Sequence, residues 1–336
     1  MGDTFGINSL SQELIEEILS RTSPHVCGQL STVCKNIRSA ANSDHVWEKF
    51  LPLDIISRRT LSDQCLFDDP WKKIDSDTLH AFPTKKDLYL FLCDNPLFID
   101  GGDMYIWLEK LSGNKCFRIG PLKLIKRHPD DWRVLSVEAG YRRFPNLPVL
   151  HNAMNFEIEG KISTSLLSPN AKYTAYLLLD FSSEWYSFGS GVQQPLKAWV
   201  GIDGHGGKRN VYIPYKLFIP ELTGPHWYPV WRHDGLNEVV LGDYLNKELG
   251  TDSSELWMCL REVKSNMRKS GIKLHGMEIR VSRPKSCIKS EESKIRSYWM
   301  MNAQVKNMHS YSDLFTEALA KVFGTLKPEG MEFPFI

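Results

Sequence analysis

The stretch Gly201-Ile202-Asp203-Gly204-His205-Gly206-Gly207-Lys208 brings glycines and a lysine together in the manner of a phosphate-cradling loop. That chemistry needs a glycine five residues before the final Gly-Lys and a hydroxyl residue after it. Ile202 and Arg209 stand at those places, so the run is expected to be a hairpin loop between two strands, with glycine supplying positive φ. The ten histidines form no HExxH pattern and share no metal-ligand spacing with the seven cysteines, which contain no CxxC. A GxSxG nucleophile elbow is not found either. No metal, cofactor or covalent catalysis is expected. Trp227, Tyr228 and Trp231, together with Trp199 and Trp257, form an aromatic-rich set. Most of it is expected in a β core, with Trp227 or Tyr228 the candidates for lining a recognition cleft.

The elements that must carry these residues change character along the chain. Leu10, Leu14, Ile15, Ile18 and Leu19 recur at the intervals of one apolar helical stripe, with Glu13, Glu16 and Glu17 opposite. Ser9 with Gln12 has the form of a capping box, and Pro24 suits the first position of a second helix carrying Val26, Cys27, Leu30, Val33 and Cys34. Ser43 caps a third, with Val46, Trp47, Phe50 and Leu51, and Pro52 stops it. Leu53 to Thr84 reads as a surface linker, and Thr84 caps a helix to Asp94 that ends at Asn95-Pro96.

From Met104 the periodicity becomes that of short strands. The runs are 104–110, 116–119, 154–162, 172–181, 197–202, 209–215, 226–232, 238–245, 255–263 and 274–282. In the third, Phe156, Ile158 and Ile162 alternate with Glu157, Glu159 and Lys161, as in a sheet with one wet face. The spacing suits an antiparallel sandwich. Beyond Ser282, Tyr311, Leu314, Phe315, Ala318, Leu319 and Phe323 suggest an amphipathic helix ending at Gly324.

Composition narrows the partners. A net charge of +1 over 336 residues gives no pull toward nucleic acid or an acidic membrane, and 42% hydrophobic residues suffice for a real core. An odd cysteine set within apolar runs favours reduced thiols, and no apolar run approaches the roughly 18 residues of a spanning helix. Cytoplasm or nucleus is the expected location.

Residues 10–52, LSQELIEEILSRTSPHVCGQLSTVCKNIRSAANSDHVWEKFLP, resemble the F-box of phloem protein 2-type F-box proteins. The resemblance implies docking of Leu10, Leu14, Ile15, Ile18 and Leu19 onto the Skp adaptor, and through it a cullin, in an SCF ubiquitin ligase. The family's usual proline is Ser11 here, which removes a rigid helix start. Downstream, Trp107-Leu108-Glu109, His128-Pro129-Asp130-Asp131-Trp132, Glu157 to Ile162, Leu241-Gly242-Asp243-Tyr244 and Lys269-Ser270-Gly271 look like the phloem protein 2, or Nictaba-like, lectin domain. That resemblance implies a jelly-roll-like sandwich binding N-acetylglucosamine oligomers or N-glycan cores.

The lectins' two binding glutamates carry over onto Glu255 and Glu262. Their two tryptophans do not: Ile125 or Lys126, and Val134, stand in their places, and Trp132 matches a neighbouring tryptophan of the core. As a hydrolytic pair the glutamates would need a separation of roughly 5 to 10 Å. Seven residues of straight strand give roughly 23 Å and opposite faces.

The expected architecture is α+β and multidomain: an all-α F-box (1–52), a linker with short helices (53–103), an all-β sandwich (104–285) and a partly helical tail (286–336). The expected function is client recruitment to the ligase, the client a protein or glycoprotein. The alternatives are a lectin acting alone and, remotely, a glycoside hydrolase.

Overall fold

In the computed structural model the described residues are 10–56, 82–137, 144–186, 195–202, 205–213, 229–232, 234–247, 254–262 and 268–282. The expected tail helix, Trp227 and Tyr228 lie outside them. Among the described residues five short helices come first: α1 (Gln12–Ser20), α2 (Pro24–Leu30), α3 (Lys35–Ala41), α4 (Asp44–Glu48) and α5 (Leu53–Ile56). A sixth, α6 (Lys85–Asp94), precedes the strands.

The local start signals explain most of these ends. The Ser43 and Thr84 hydroxyls accept the N–H of His45 and Asp87, as their positions predict, and the Ser23 hydroxyl, just ahead of Pro24, accepts that of Val26. Two details differ. Ser11, not Ser9, caps α1, accepting the Leu14 N–H at 3.4 Å, while Gln12 donates to Glu16 on the same helix. The second stripe is broken at Leu30, and a separate α3 begins after Cys34, which gives no side-chain cap.

Among the described residues fourteen strands follow in two sheets. The larger runs β1 (Leu97–Ile99), β2 (Met104–Leu108), β3 (Lys115–Ile119), β14 (Ser270–Val281), β8 (Ala171–Tyr186), β12 (Asn237–Asn246) and β11 (Val230–Trp231). The hairpin of β5 (Trp132–Ser136) and β6 (Asn146–Leu150) joins it through β14. The smaller sheet runs β10 (His205–Val211), β9 (Leu196–Ile202), β13 (Glu255–Arg261), β7 (Glu157–Ser163) and β4 (Ile125–Lys126). All pairings are antiparallel, and the strands begin at Leu97, earlier than the periodicity indicated.

Alternation builds the core between the sheets. Phe117, Ile119, Leu177, Leu179, Val239, Leu241, Met277 and Ile279 come from one sheet, and Ile158, Ile162, Ala198, Val200, Leu256, Met258 and Leu260 from the other. Each fully buried aliphatic contributes about 1.5 to 3 kcal/mol. The glycine run is strand rather than loop: His205 to Val211 pair with Ile202 to Leu196. Gly276 marks a register shift in β14, at φ 118°, where an added Cβ would lie 2.3 Å from the Ile119 carbonyl oxygen. Gly276→Ala is therefore expected to lose about 3 kcal/mol or more, read as a lowered urea midpoint.

The helices and strands share one core. Trp47 of α4 meets Tyr89 of α6 at 5.2 Å between ring centroids, and its indole N–H donates to the Ala41 carbonyl at 2.7 Å. The Tyr89 hydroxyl donates to the carbonyls of Glu109 and Lys110, in the turn between β2 and β3. The His25 N–H of α2 donates to the Leu111 carbonyl of that turn at 3.1 Å, and the Lys85 N–H donates to the Asp44 carboxylate at 2.7 Å. The helix expected after Thr84, α6, is thus a bracket between the helical unit and the first hairpin, while most of the expected linker, residues 57–81, lies outside the described residues.

Candidate functional site

Two surfaces carry the residues singled out above. On α1 the expected stripe divides. Leu14 and Ile18, 54% and 53% exposed, line one face with Leu10, while Ile15 and Leu19, 4% and 2% exposed, belong to the core. The reason is the 100° step of the helix: residues four apart share a face, and the Ile15–Leu19 face is turned toward α3 and α4. Ile15 and Leu19 therefore hold the helix in place and do not offer themselves to a partner. Leu10, Leu14 and Ile18 do, with Val26 and Val33 as further exposed apolar side chains of the unit. Ser11 replaces the rigidity of a proline by a hydrogen-bonded cap, at a φ of −66° that proline itself would adopt.

The second surface is the outer face of the smaller sheet. Ala198, Val200, Leu256 and Met258 point inward, so the tryptophans between them, Trp199 and Trp257, stand half-buried on the other side. Their assignment to the sandwich core is corrected by that alternation. Trp257 is flanked by Gly201 on β9 and Lys161 on β7, with the ammonium 5.4 Å from its ring centroid. Lys161 also pairs with Glu255 at 2.9 Å, which places a carboxylate beside this aromatic face. The alternation that was legible for Phe156 to Ile162 could have located both tryptophans, had β9 and β13 been read face by face.

Glu262 is elsewhere. It follows the end of β13, its N–H donating to the Phe156 carbonyl at 2.7 Å, and its side chain meets the fully buried Lys269 at 2.5 Å. The paired length from Glu255 to Arg261 is straight in register, so the two glutamates lie about 23 Å apart. They do not form one sugar pocket or a hydrolytic pair. Ile125 and Val134 are exposed, as the positions of binding tryptophans would be, but they offer no stacking face. Trp132 packs on Phe156 at 6.2 Å, in the core as expected.

Two further groups carry side chains of ligand chemistry. The side-chain donor atoms of Glu157, Glu159 and Cys259 lie within 4.8 Å of one another. Glu157 is already neutralised by Arg127 at 2.9 Å and Arg261 at 3.7 Å. Burial, reinforced by the Glu159 and Glu157 carboxylates, pushes the Cys259 thiol up to about 12. The glycine strands border a recess of about 420 Å³ with Asp243, Tyr244 and Leu245. Its carboxylate is engaged by the Thr174 hydroxyl at 2.8 Å and by Arg209 at 3.5 Å.

A helical unit with an open leucine-isoleucine face, ahead of an antiparallel sandwich, agrees with what the sequence is similar to. Residues 7–49 match the F-box domain and residues 114–281 match phloem protein 2. The chain is 32% identical over 280 residues to "Putative F-box protein PP2-B2" of Arabidopsis thaliana, covering 81% of this chain and 82% of that one. It is 34% identical over 274 residues to "Putative F-box protein PP2-B12" of the same plant, covering 81% and 96%. This chain is an F-box protein of the phloem protein 2 family.

Among solved structures, a family 35 carbohydrate binding module from Clostridium thermocellum superposes on 50% of the chain with a TM-score of 0.28 and 12% identity. That likeness is too slight to build on. Within the F-box and phloem protein 2 frame, the F-box match covers α1 to α4, and the phloem protein 2 match runs from the start of β3 to the end of β14. The bracket α6 and strands β1 and β2 fall between the two matched segments.

Proposed function

We propose that this protein recruits a client to an SCF-type ubiquitin ligase, with Leu10, Leu14 and Ile18 seated in the Skp adaptor and the sandwich holding the client. The observation that supports this reading most is the division of α1. Two isoleucine and leucine side chains more than half exposed, beside two that are almost fully buried, are a costly arrangement unless the open face is covered in use. The chain would supply proximity alone, keeping client lysines near an activated ubiquitin carried by other subunits. The cytoplasm or nucleus is the setting this role requires. Capture of purified Skp adaptor by the full chain tests the reading, and failure to bind at micromolar concentrations would overturn it.

A second reading, glycan binding, has one supporting observation: Trp257 beside Glu255, with Trp199 further along the same open face of the smaller sheet, opposite Cys259. An aromatic face stacks on the apolar side of a pyranose while a carboxylate accepts from its hydroxyls. An N-acetylglucosamine oligomer or N-glycan core on the client would use this face. On a glycan array, Trp257→Ala is expected to lower binding at least about tenfold, with Glu262→Ala unchanged at equal folded concentration. Binding lost through Glu262 instead would return the site to the other end of β13.

A further inference from the structure

Among the described residues strand β5 is an open edge of the larger sheet. Among them it pairs with β6 alone, in the register Trp132↔Leu150 to Ser136↔Asn146. The His151 N–H donates to the Asp131 carbonyl and the Val137 N–H to the Pro145 carbonyl, each at 2.8 Å. Those two bonds fix the hydrogen-bonded positions at 131, 133, 135 and 137, because such pairs alternate in an antiparallel ladder. Pro148, which has no N–H, stands opposite Val134 and agrees with that phase. The N–H and C=O groups of Trp132, Val134 and Ser136 therefore point away from β6, toward solvent.

Edges of this kind are normally blunted. The other edges here are: β1 has three residues, β4 and β11 two each, and β10 carries Lys208, Arg209 and Asn210. Strand β5 instead exposes Val134 at 61% and Leu135 at 45% on its two faces. Arg133 beside them is exposed and has no ion-pair partner among the described residues.

We infer that β5 is a docking edge for an extended peptide segment of the client, which adds as a strand with an apolar residue against Val134 and an acidic one opposite Arg133. The row of unpaired donors and acceptors selects an extended backbone, and the two side chains select its sequence. A second copy of this chain fits less well. Antiparallel pairing of two β5 strands about Val134 would set Arg133 against Leu135 and leave its charge unmatched. A seam of five residues a side also falls far short of the roughly 20 to 30 a stable dimer uses. The inference deepens the recruitment reading and rests on it for the source of the peptide, whereas the strand-adding capacity of the edge can be tested without the ligase.

The probe is a synthetic peptide of roughly ten residues alternating valine and threonine with one central glutamate, compared with versions carrying lysine or alternate prolines. Amide hydrogen exchange on the full chain should slow at Trp132, Val134 and Ser136 by about tenfold or more at saturating peptide, and not with the proline version. Val134→Pro removes one outward donor and no bond to β6, and should weaken the glutamate probe about fivefold to tenfold. Val134→Lys is the companion variant should proline disturb the strand, and the same direction is expected of it. Arg133→Glu should reverse the preference between glutamate and lysine probes. Equal binding of the proline version, unchanged affinity in the Val134 variants, or slowing that grows with protein concentration without peptide would each overturn the proposal. Adaptor capture measured on the same variants should stay at the wild-type level, so loss of the recruitment reading would show in that assay and not in peptide binding.

Discussion

Leu14→Asp combined with Ile18→Asp is expected to abolish adaptor capture, weakening it by more than about a thousandfold, while the chain stays folded. Each side chain is more than half exposed in the free protein, so little core packing is lost by changing it. On docking, each would bury an apolar surface worth about 1.5 to 3 kcal/mol, and an aspartate in its place would bring an unpaired charge into an apolar contact. The contrasting variant is Ile15→Ala. It should cost about 2 to 4 kcal/mol of folding stability through the cavity it leaves, with adaptor affinity of the folded fraction little changed. Calorimetric titration with the adaptor and a urea titration separate the two effects. Wild-type affinity in the double aspartate variant would remove Leu14 and Ile18 from the interface.

Glu278→Ala is expected to destabilise the sandwich by about 3 to 5 kcal/mol. Glu278 is 4% exposed on β14 and is met by Arg118 of β3 at 3.0 Å and by Arg232 at 2.9 Å. Arg280 lies 3.5 Å away, also binds Glu238 at 2.6 Å, and stands 3.9 Å over the Tyr176 ring. Removing this carboxylate leaves Arg118, itself 7% exposed, without its partner in a desolvated place. Burial alone would push the Glu278 carboxyl up, but Arg118, Arg280 and Arg232 together hold it below the usual carboxylate range. A carboxylate whose folded pKa is depressed adds stability above its unfolded pKa, near 4.5, and that contribution is lost as pH falls through the lower folded value. The wild type should therefore lose stability on acidification below about pH 4.5, and Glu278→Gln should flatten that limb. An acid limb unchanged in Glu278→Gln would assign the loss to other carboxylates.

The parts of this molecule that were legible in the sequence are those decided locally. Ser43 and Thr84 announce helix starts because a cap is a bond within one turn. The alternation from Phe156 to Ile162 announces a strand with one wet face because side-chain direction has a period of two. What stayed hidden depends on partners distant along the chain. Stripe counting could not separate Leu14 and Ile18 from Ile15 and Leu19, since both pairs are apolar and only the packing of α3 and α4 decides which is covered. Strands β4 and β6 escaped for different reasons, one being two residues long and the other containing Pro148. The cluster around Glu278 escaped because charged residues are ordinarily read as surface. The glycine run reads as a loop because glycine signals turns, yet Gly206 pairs with Gly201 inside a hairpin.

In the proposed recruitment role, the bracket at α6 bears on which lysine of a client would be modified. Among the described residues, Trp47, Tyr89 and the β2–β3 turn are joined by ring contacts and hydrogen bonds, so the helical unit and the first hairpin of the sandwich are held together at this junction. A tethered receptor lets its cargo sweep a sphere, and many lysines take turns near the ubiquitin donor. A bracketed one holds its cargo along a fixed bearing, so acceptance becomes a matter of aim. Shortening or re-angling α6 would then redirect ubiquitin to a different lysine, with the affinities for adaptor and client left as they were.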